Sequence, residues 1–187
     1  LSIGVAVAYK KKKTAGVAGN RRSVAFDDGS EARFDLLVAI PPHVAPAVVR
    51  EAGLTNQSGW IPADPQTLKV ARESAFRAVY AIGDVAVVSL PGRHKPDVPL
   101  VLPKAGTIAE GQGMAVASQI AAALLGKPAE SFGGSGTCYI ETGGRQAIRG
   151  EGQFYALPHP VMRATPPDAA QYEGKLAWMS GWLRANL

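Results

Sequence analysis

The apolar run Ala78-Val79-Tyr80-Ala81-Ile82 stops at Gly83-Asp84, and twenty residues on, Pro103-Lys104-Ala105-Gly106 opens a long apolar segment. A short strand, a glycine, a carboxylate, an excursion and then a helix is the order of α/β folds, which narrows the fold class more than any other feature of the chain. At the carboxyl end of a parallel strand a side chain points into the crevice where such sheets bind ligands. A carboxylate there accepts hydrogen bonds from a polyol, and Gly83 permits close approach to the backbone. The plainer reading of Asp84 is a residue that caps its own turn. The residues alone leave both open.

Residues 104–125 read as the clearest helix, with Ile108, Val116, Ile120 and Leu124 at helical spacing and Met114 nearby. Alanines at 109, 115, 117, 121 and 122 keep its surface small, so it can lie close to a sheet or a flat ligand. Gly126 ends it and Pro128 prevents continuation. The free N–H groups at its start, Lys104-Ala105-Gly106, carry partial positive charge, worth about 0.3–1 kcal/mol to an anion at an exposed terminus. A solvated Lys104 in the first turn would oppose that dipole slightly.

Around this pair the chain divides by composition. Residues 3–8 tend toward strand, and Val24-Ala25-Phe26 runs into an Asp27-Asp28-Gly29 turn. Phe34-Asp35-Leu36-Leu37-Val38-Ala39-Ile40, halted by Pro41-Pro42, predicts a strand buried on both faces. Pro46 to Gly53 frames a short helix, Gly59-Trp60-Ile61-Pro62 and Asp64-Pro65 an irregular strand pair, and residues 90–103 a Pro- and Gly-rich surface excursion. Beyond Pro128 a small antiparallel sheet is expected from Thr137-Cys138-Tyr139-Ile140-Glu141, a Gly143-Gly144 turn, Ala147-Ile148 and Phe154-Tyr155. The last helix, 171–187, sets Leu176, Met179, Leu183 and Leu187 on one face with Trp178 and Trp182 beside it.

The chain's 187 residues allow one large domain or two small ones. Its net charge of +5 gathers at lysines 10–13 with Arg21 and Arg22, a run without interleaved aromatics that reads as a solvated hairpin tip and not as a nucleic-acid interface. No apolar stretch reaches the length of a membrane span. The chain begins at Leu1, inside an expected strand, and reads as a piece whose beginning lies elsewhere. His43, His94 and His159 are scattered through Pro-rich loops, which supports neither a metal site nor a hydrolase triad. Gly111-Gln112-Gly113 lies within the helix and Gly133 to Gly136 precedes a strand, so the strand–turn–helix fingerprint that grips a dinucleotide pyrophosphate is absent. Cys138, the one cysteine, excludes an internal disulfide. Alone it reads as a small buried hydrophobe; its flanking glycines also suit a thiolate that a substrate approaches.

Five segments in order extend this reading: Phe34 to His43, Gly59-Trp60-Ile61-Pro62, Tyr80-Ala81-Ile82-Gly83-Asp84-Val85, Pro103-Lys104-Ala105-Gly106 and Gly136-Thr137-Cys138-Tyr139-Ile140-Glu141. Together they resemble the C-terminal part of sulfide:quinone oxidoreductases and of the flavoprotein subunit of flavocytochrome c sulfide dehydrogenase, from about Phe26 to the end. The resemblance implies an α/β fold: the C-terminal portion of a two-Rossmann-domain flavoprotein with a small C-terminal α+β region. Residues 1–45 would end the second, NAD-like Rossmann domain, 46–127 would form the C-terminal half of the FAD domain, and 128–187 a redox-cysteine and interface region. It implies FAD as cofactor, contacted by Gly83, Asp84, Ala105 and Gly106 with Lys104 nearby, Asp84 holding a ribityl hydroxyl and the helix start facing the pyrimidine edge of the flavin.

The resemblance further implies that sulfide is oxidised through a cysteine pair and that electrons pass to a quinone or cytochrome c. Cys138 would be the sulfur nearer the flavin, its partner belonging to an N-terminal half that this chain lacks. Trp178, Met179, Trp182 and Leu183 would make a peripheral membrane contact, or else pack on the domain itself or a partner subunit. The compartment is left open; a peripheral membrane or periplasmic one is compatible with the same resemblance. Phe154 and Tyr155 would line a quinone pocket or belong to the core. Two other readings stay open: an NAD(P)H-dependent flavin reductase that does not use Cys138, and a binding fragment without flavin.

Overall fold

The computed structural model describes residues 14–18, 23–26, 28–38, 40, 42–70 and 79–187. The expected strand at 3–8, the lysine run at 10–13, Arg21, Arg22, Asp27, Ala39, Pro41 and Ala78 lie outside the described residues. The architecture mixes helices with several small sheets, an α+β arrangement, and falls into two compact units, Leu1–His43 and Val44–Leu187.

In the first unit β1 (Thr14–Ala18), β2 (Ser23–Phe26) and β3 (Glu31–Arg33) form an antiparallel sheet in that order. The turn between β2 and β3 closes where the Asp28 carboxylate accepts the Ser30 N–H at 2.9 Å, as short polar side chains do in turns. The buried strand expected after it does not form. Leu36, Val38 and Ile40 are 82–84% exposed, and the chain from 34 to 38 is irregular. A run of branched apolar residues becomes a central strand only where neighbours supply both ladders, and among the described residues none lies alongside.

The second unit carries the main core, where Ile61, Leu68, Val88, Ile108, Phe132 and Phe154 converge. A short helix α1 (Ala47–Glu51) starts behind Pro46, as expected. β4 (Ile61–Pro62) pairs in parallel with β5 (Ala86–Val87). Instead of an unstructured excursion, β6 (Ser89–Lys95) and β7 (Val98–Val101) make an antiparallel ribbon. A two-stranded ribbon consists of edges, where a proline's missing N–H need not break a ladder, so Pro91 and Pro99 are tolerated.

The long helix α2 runs Gly106–Leu125, flanked by Ala105 and by Gly126 in the left-handed conformation. Its buried stripe is Ile108, Gln112, Ala115, Gln119 and Ala122, not the purely aliphatic face expected; Met114, Ile120 and Leu124 are exposed. Ala115 and Ala122 on this stripe are small enough to let the helix approach the core, while the bulkier Met114, Ile120 and Leu124 face outward.

The C-terminal sheet has β8 (Ser135–Gly143), β9 (Gln146–Gln153) and β10 (Val161–Ala164) in the order β10-β9-β8. The last helix, α3 (Ala169–Asn186), begins where the Asp168 carboxylate accepts the Ala170 N–H at 2.9 Å. It is joined to the β8–β9 hairpin by Lys175–Glu141 and by Arg145–Glu173 at 2.9 Å. Exposed pairs of this kind contribute about 0–1 kcal/mol each, so they orient the helix more than they hold it.

Tyr155 ties this sheet to the core. Its hydroxyl donates to the Pro65 carbonyl at 2.6 Å, and its ring meets Phe132 edge-on at 5.8 Å. Burial, and then the Asp64 charge, raise the phenol above its ordinary range. A folded-state value above the unfolded one stabilises fully below about pH 10, and that contribution drains away as pH rises further. Tyr155→Phe is expected to lose about 0.5–1.5 kcal/mol at neutral pH. It should also flatten the fall of the melting midpoint above about pH 10, as read from melts at stepped alkaline pH.

Candidate active site

Asp84 lies in a single 3-10 turn, Gly83–Val85, after an extended segment. This corrects the expected geometry: Asp84 is not at the tip of a parallel strand but just ahead of one, β5. Tyr80 makes only an isolated bridge to Lys69, and Ala81 bonds back to Leu68. The turn forms because Gly83 adopts φ +66°, a conformation that costs glycine nothing, and because its N–H finds an acceptor deep in α2. That acceptor is the Gln112 Oε1 at 2.7 Å, on a side chain only 2% exposed. Sequence reasoning passed over Gln112. The available signal was a glutamine interrupting an apolar helical stripe, which asks for a buried partner. Gln112→Leu should cost about 1–3 kcal/mol by leaving the Gly83 N–H unpaired, measurable as a lowered denaturation midpoint.

Lys104 stands before α2, not in its first turn. Its ammonium donates to the backbone carbonyl of Asp84 and lies 3.4 Å from the centroid of the Trp60 ring. Desolvation lowers its pKa from the ordinary lysine value, against the Asp84 charge, which raises it. Trp60, read from sequence only as part of an irregular strand, therefore supplies a face for the Lys104 ammonium.

Ala105 is extended and gives α2 no side-chain cap. A Cβ placed on Gly106 would meet nothing within 4 Å, so the helix start is open on that side. The Ile108 N–H turns back to the Ala105 carbonyl at 3.1 Å, which leaves the N–H groups of Gly106 and Thr107 to meet an acceptor, as a helix N-terminus does with anionic ligand edges. Beneath them Gly83, Lys104, Ala105, Ile108, Ala109 and Gln112 enclose about 10 Å³, room for one water. A larger molecule would lie outside, across the Gly83–Asp84 turn and the start of α2. The two segments of the expected flavin site are therefore neighbours: Gly83, Lys104 and Ala105 line the same small space, and Lys104 reaches the Asp84 carbonyl.

Cys138 lies on β8, opposite Gly150, and its thiol is free and exposed. The reading of a buried small hydrophobe is thereby set aside. The strand that carries it is fastened to the beginning of α2. The Thr107 hydroxyl donates to the Thr137 carbonyl at 2.6 Å and accepts the Thr137 N–H at 3.3 Å. On the other side of Thr137, a Cβ on Gly136 would come within 2.5 Å of Ile108 Cγ1, so only glycine allows this approach. Thr107 was not singled out from sequence, where nothing links it to a strand thirty residues on.

Phe154 is buried in the core and Tyr155 meets Phe132 edge-on, so the core reading of this pair is the one the packing supports. An open cleft of about 930 Å³ separates α2 from the C-terminal sheet; Met114, Phe132, Tyr139, Arg149, Glu151 and Trp178 are among its walls. Trp178, Met179, Trp182 and Leu183 of α3 are each 40–47% exposed. No helix among the described residues is long and apolar enough to cross a membrane, and no group of three or more His, Cys, Asp or Glu among them is arranged to hold a metal. No protein-family model matches the chain.

Proposed function

We propose that this chain is the C-terminal portion of a two-Rossmann-domain flavoprotein that uses FAD to oxidise sulfide and passes the electrons to a quinone or a cytochrome. The observation that carries the reading is the union of the Gly83–Asp84 turn with the start of α2 through Lys104. The turn carries a carboxylate suited to a sugar-alcohol hydroxyl and the helix start carries uncapped amides suited to an electron-rich ring edge, two chemistries that match opposite parts of a flavin. Bound there, FAD would supply a two-electron acceptor.

Within that reading this chain's own groups have separate tasks. Asp84 orients the ribityl chain. The helix amides, with the Lys104 charge behind them, favour negative charge at the pyrimidine edge, which makes reduction easier. Cys138, exposed on β8, is one sulfur of the redox pair; the other comes from polypeptide outside these 187 residues. Sulfide attack on their disulfide forms one S–S bond and breaks another, leaving a persulfide on the attacked cysteine and a thiolate on its partner. The half-exposed Trp178 and Trp182 on α3 suit a peripheral apolar contact, which is where a quinone would be met.

The test is spectroscopic. The complete polypeptide should purify yellow, with flavin absorbance near 450 nm that sulfide bleaches anaerobically and NADH does not. Bleaching by NADH alone would establish a pyridine-nucleotide-dependent reductase instead. Colourless protein that takes up no added FAD would leave a binding fragment.

A further inference from the structure

We infer that Thr107 is a positioning residue, whose hydroxyl sets where Cys138 stands relative to the open start of α2. The inference rests on the proposed function for its chemical meaning, but its geometry stands alone. β8 is the outer strand in the order β10-β9-β8, so among the described residues the N–H and C=O of Thr137 that face away from β9 have no strand to pair with. Edge groups of this kind normally go to water or to a covering element. Here a single side chain takes both, the Thr107 hydroxyl donating to the Thr137 carbonyl at 2.6 Å and accepting its N–H at 3.3 Å. One hydroxyl thus does what a neighbouring strand would do, and does it at the residue immediately before Cys138.

The contact is specific in direction as well as in distance. Thr107 is the second residue of α2, directly after Gly106, whose outer side is open. Ile108, the next residue, packs against Gly136, where a Cβ would stand 2.5 Å from its Cγ1. Lys104, three residues before Thr107, holds the Asp84 carbonyl. The segment from 104 to 108 therefore grips the Asp84 turn with one residue and the Cys138 strand with two others. The register of that strand cannot slip without breaking the Thr107 bonds and driving a side chain into Ile108. Reaction between a sulfur and a neighbouring acceptor depends steeply on such placement, with an error of about 1 Å costing on the order of a hundredfold.

The experiment compares wild type, Thr107→Val and Thr107→Ser in the complete flavin-loaded protein. Valine keeps the shape and loses both bonds; serine keeps the hydroxyl. Thr107→Val is expected to retain FAD and to melt within roughly 5 °C of wild type, because both threonines are only half-buried and water can replace the lost bonds. The amide of Thr137 should exchange with deuterium roughly tenfold faster, and sulfide-dependent flavin reduction should slow by roughly ten- to a hundredfold. Thr107→Ser should restore both. Unchanged exchange and unchanged reduction in the valine variant, or a serine variant as impaired as valine, would overturn the inference. If the wild-type protein binds no FAD, the sulfide-oxidising reading fails, while the exchange rates of the three proteins still decide whether Thr107 holds the strand.

Discussion

Replacing Cys138 with alanine is expected to remove sulfide-dependent flavin reduction, by at least about a thousandfold, while FAD content stays at the wild-type level. The two outcomes separate because the thiol is exposed on β8, whereas the surface proposed for FAD is built from the Gly83–Asp84 turn and the start of α2. An exposed substitution away from packed groups changes stability by about 0.5 kcal/mol or less, so loss of activity would not reflect loss of fold. Cys138→Ser should behave in the same way, since a hydroxyl is a far weaker nucleophile toward sulfur than a thiolate. Stopped-flow bleaching at 450 nm under excess sulfide measures the effect. Turnover retained in either variant would move the chemistry to another residue.

The largest structural effect is expected at Gly134. Its φ is +71°, and a Cβ there would lie 2.4–2.7 Å from three atoms of the Tyr155 ring. The ring has nowhere to retreat, being tied by its hydroxyl to Pro65 and pressed edge-on against Phe132. Gly134→Ala therefore adds a left-handed backbone penalty of about 1–3 kcal/mol to an overpacking cost of similar size, about 2–6 kcal/mol together. For a chain of this length that corresponds to a melting midpoint lower by roughly 4–24 °C. The neighbouring Gly133→Ala is the control: nothing lies within 4 Å of its Cβ position, and its melting curve should overlie wild type. Equal melts for the two variants would contradict the packing described for Tyr155.

What could be read from sequence follows a physical divide. α2 and α3 announced themselves through helical periodicity, and Gly126, at the end of α2, adopts the left-handed conformation that a stop requires. The β8–β9 hairpin was equally legible, because Gly143, Gly144 and Arg145 all take positive φ where the sequence marks its turn. The proximity of Asp84 to Lys104 was anticipated only through resemblance to a family. The run at 34–40 shows the opposite limit: its composition asks for burial, yet Leu36, Val38 and Ile40 lie exposed. Composition states a demand, and only a neighbouring strand can meet it.

The site repeats that lesson on a finer scale. Gln112 lies 29 residues from the Gly83 N–H it accepts, and Thr107 lies 30 from the Thr137 backbone it binds. Neither is chemically conspicuous, and both matter through what they touch. Sequence alone determined the long helices and the Gly143–Gly144 hairpin turn, because those depend on residues near one another along the chain. The tertiary structure decided that Asp84 sits in a turn instead of at a strand tip, that Lys104 rests on Trp60, and that Thr137, next to Cys138, is tied to the beginning of α2. Those outcomes depend on which distant backbone groups are left without a partner, a property that no local stretch of residues contains.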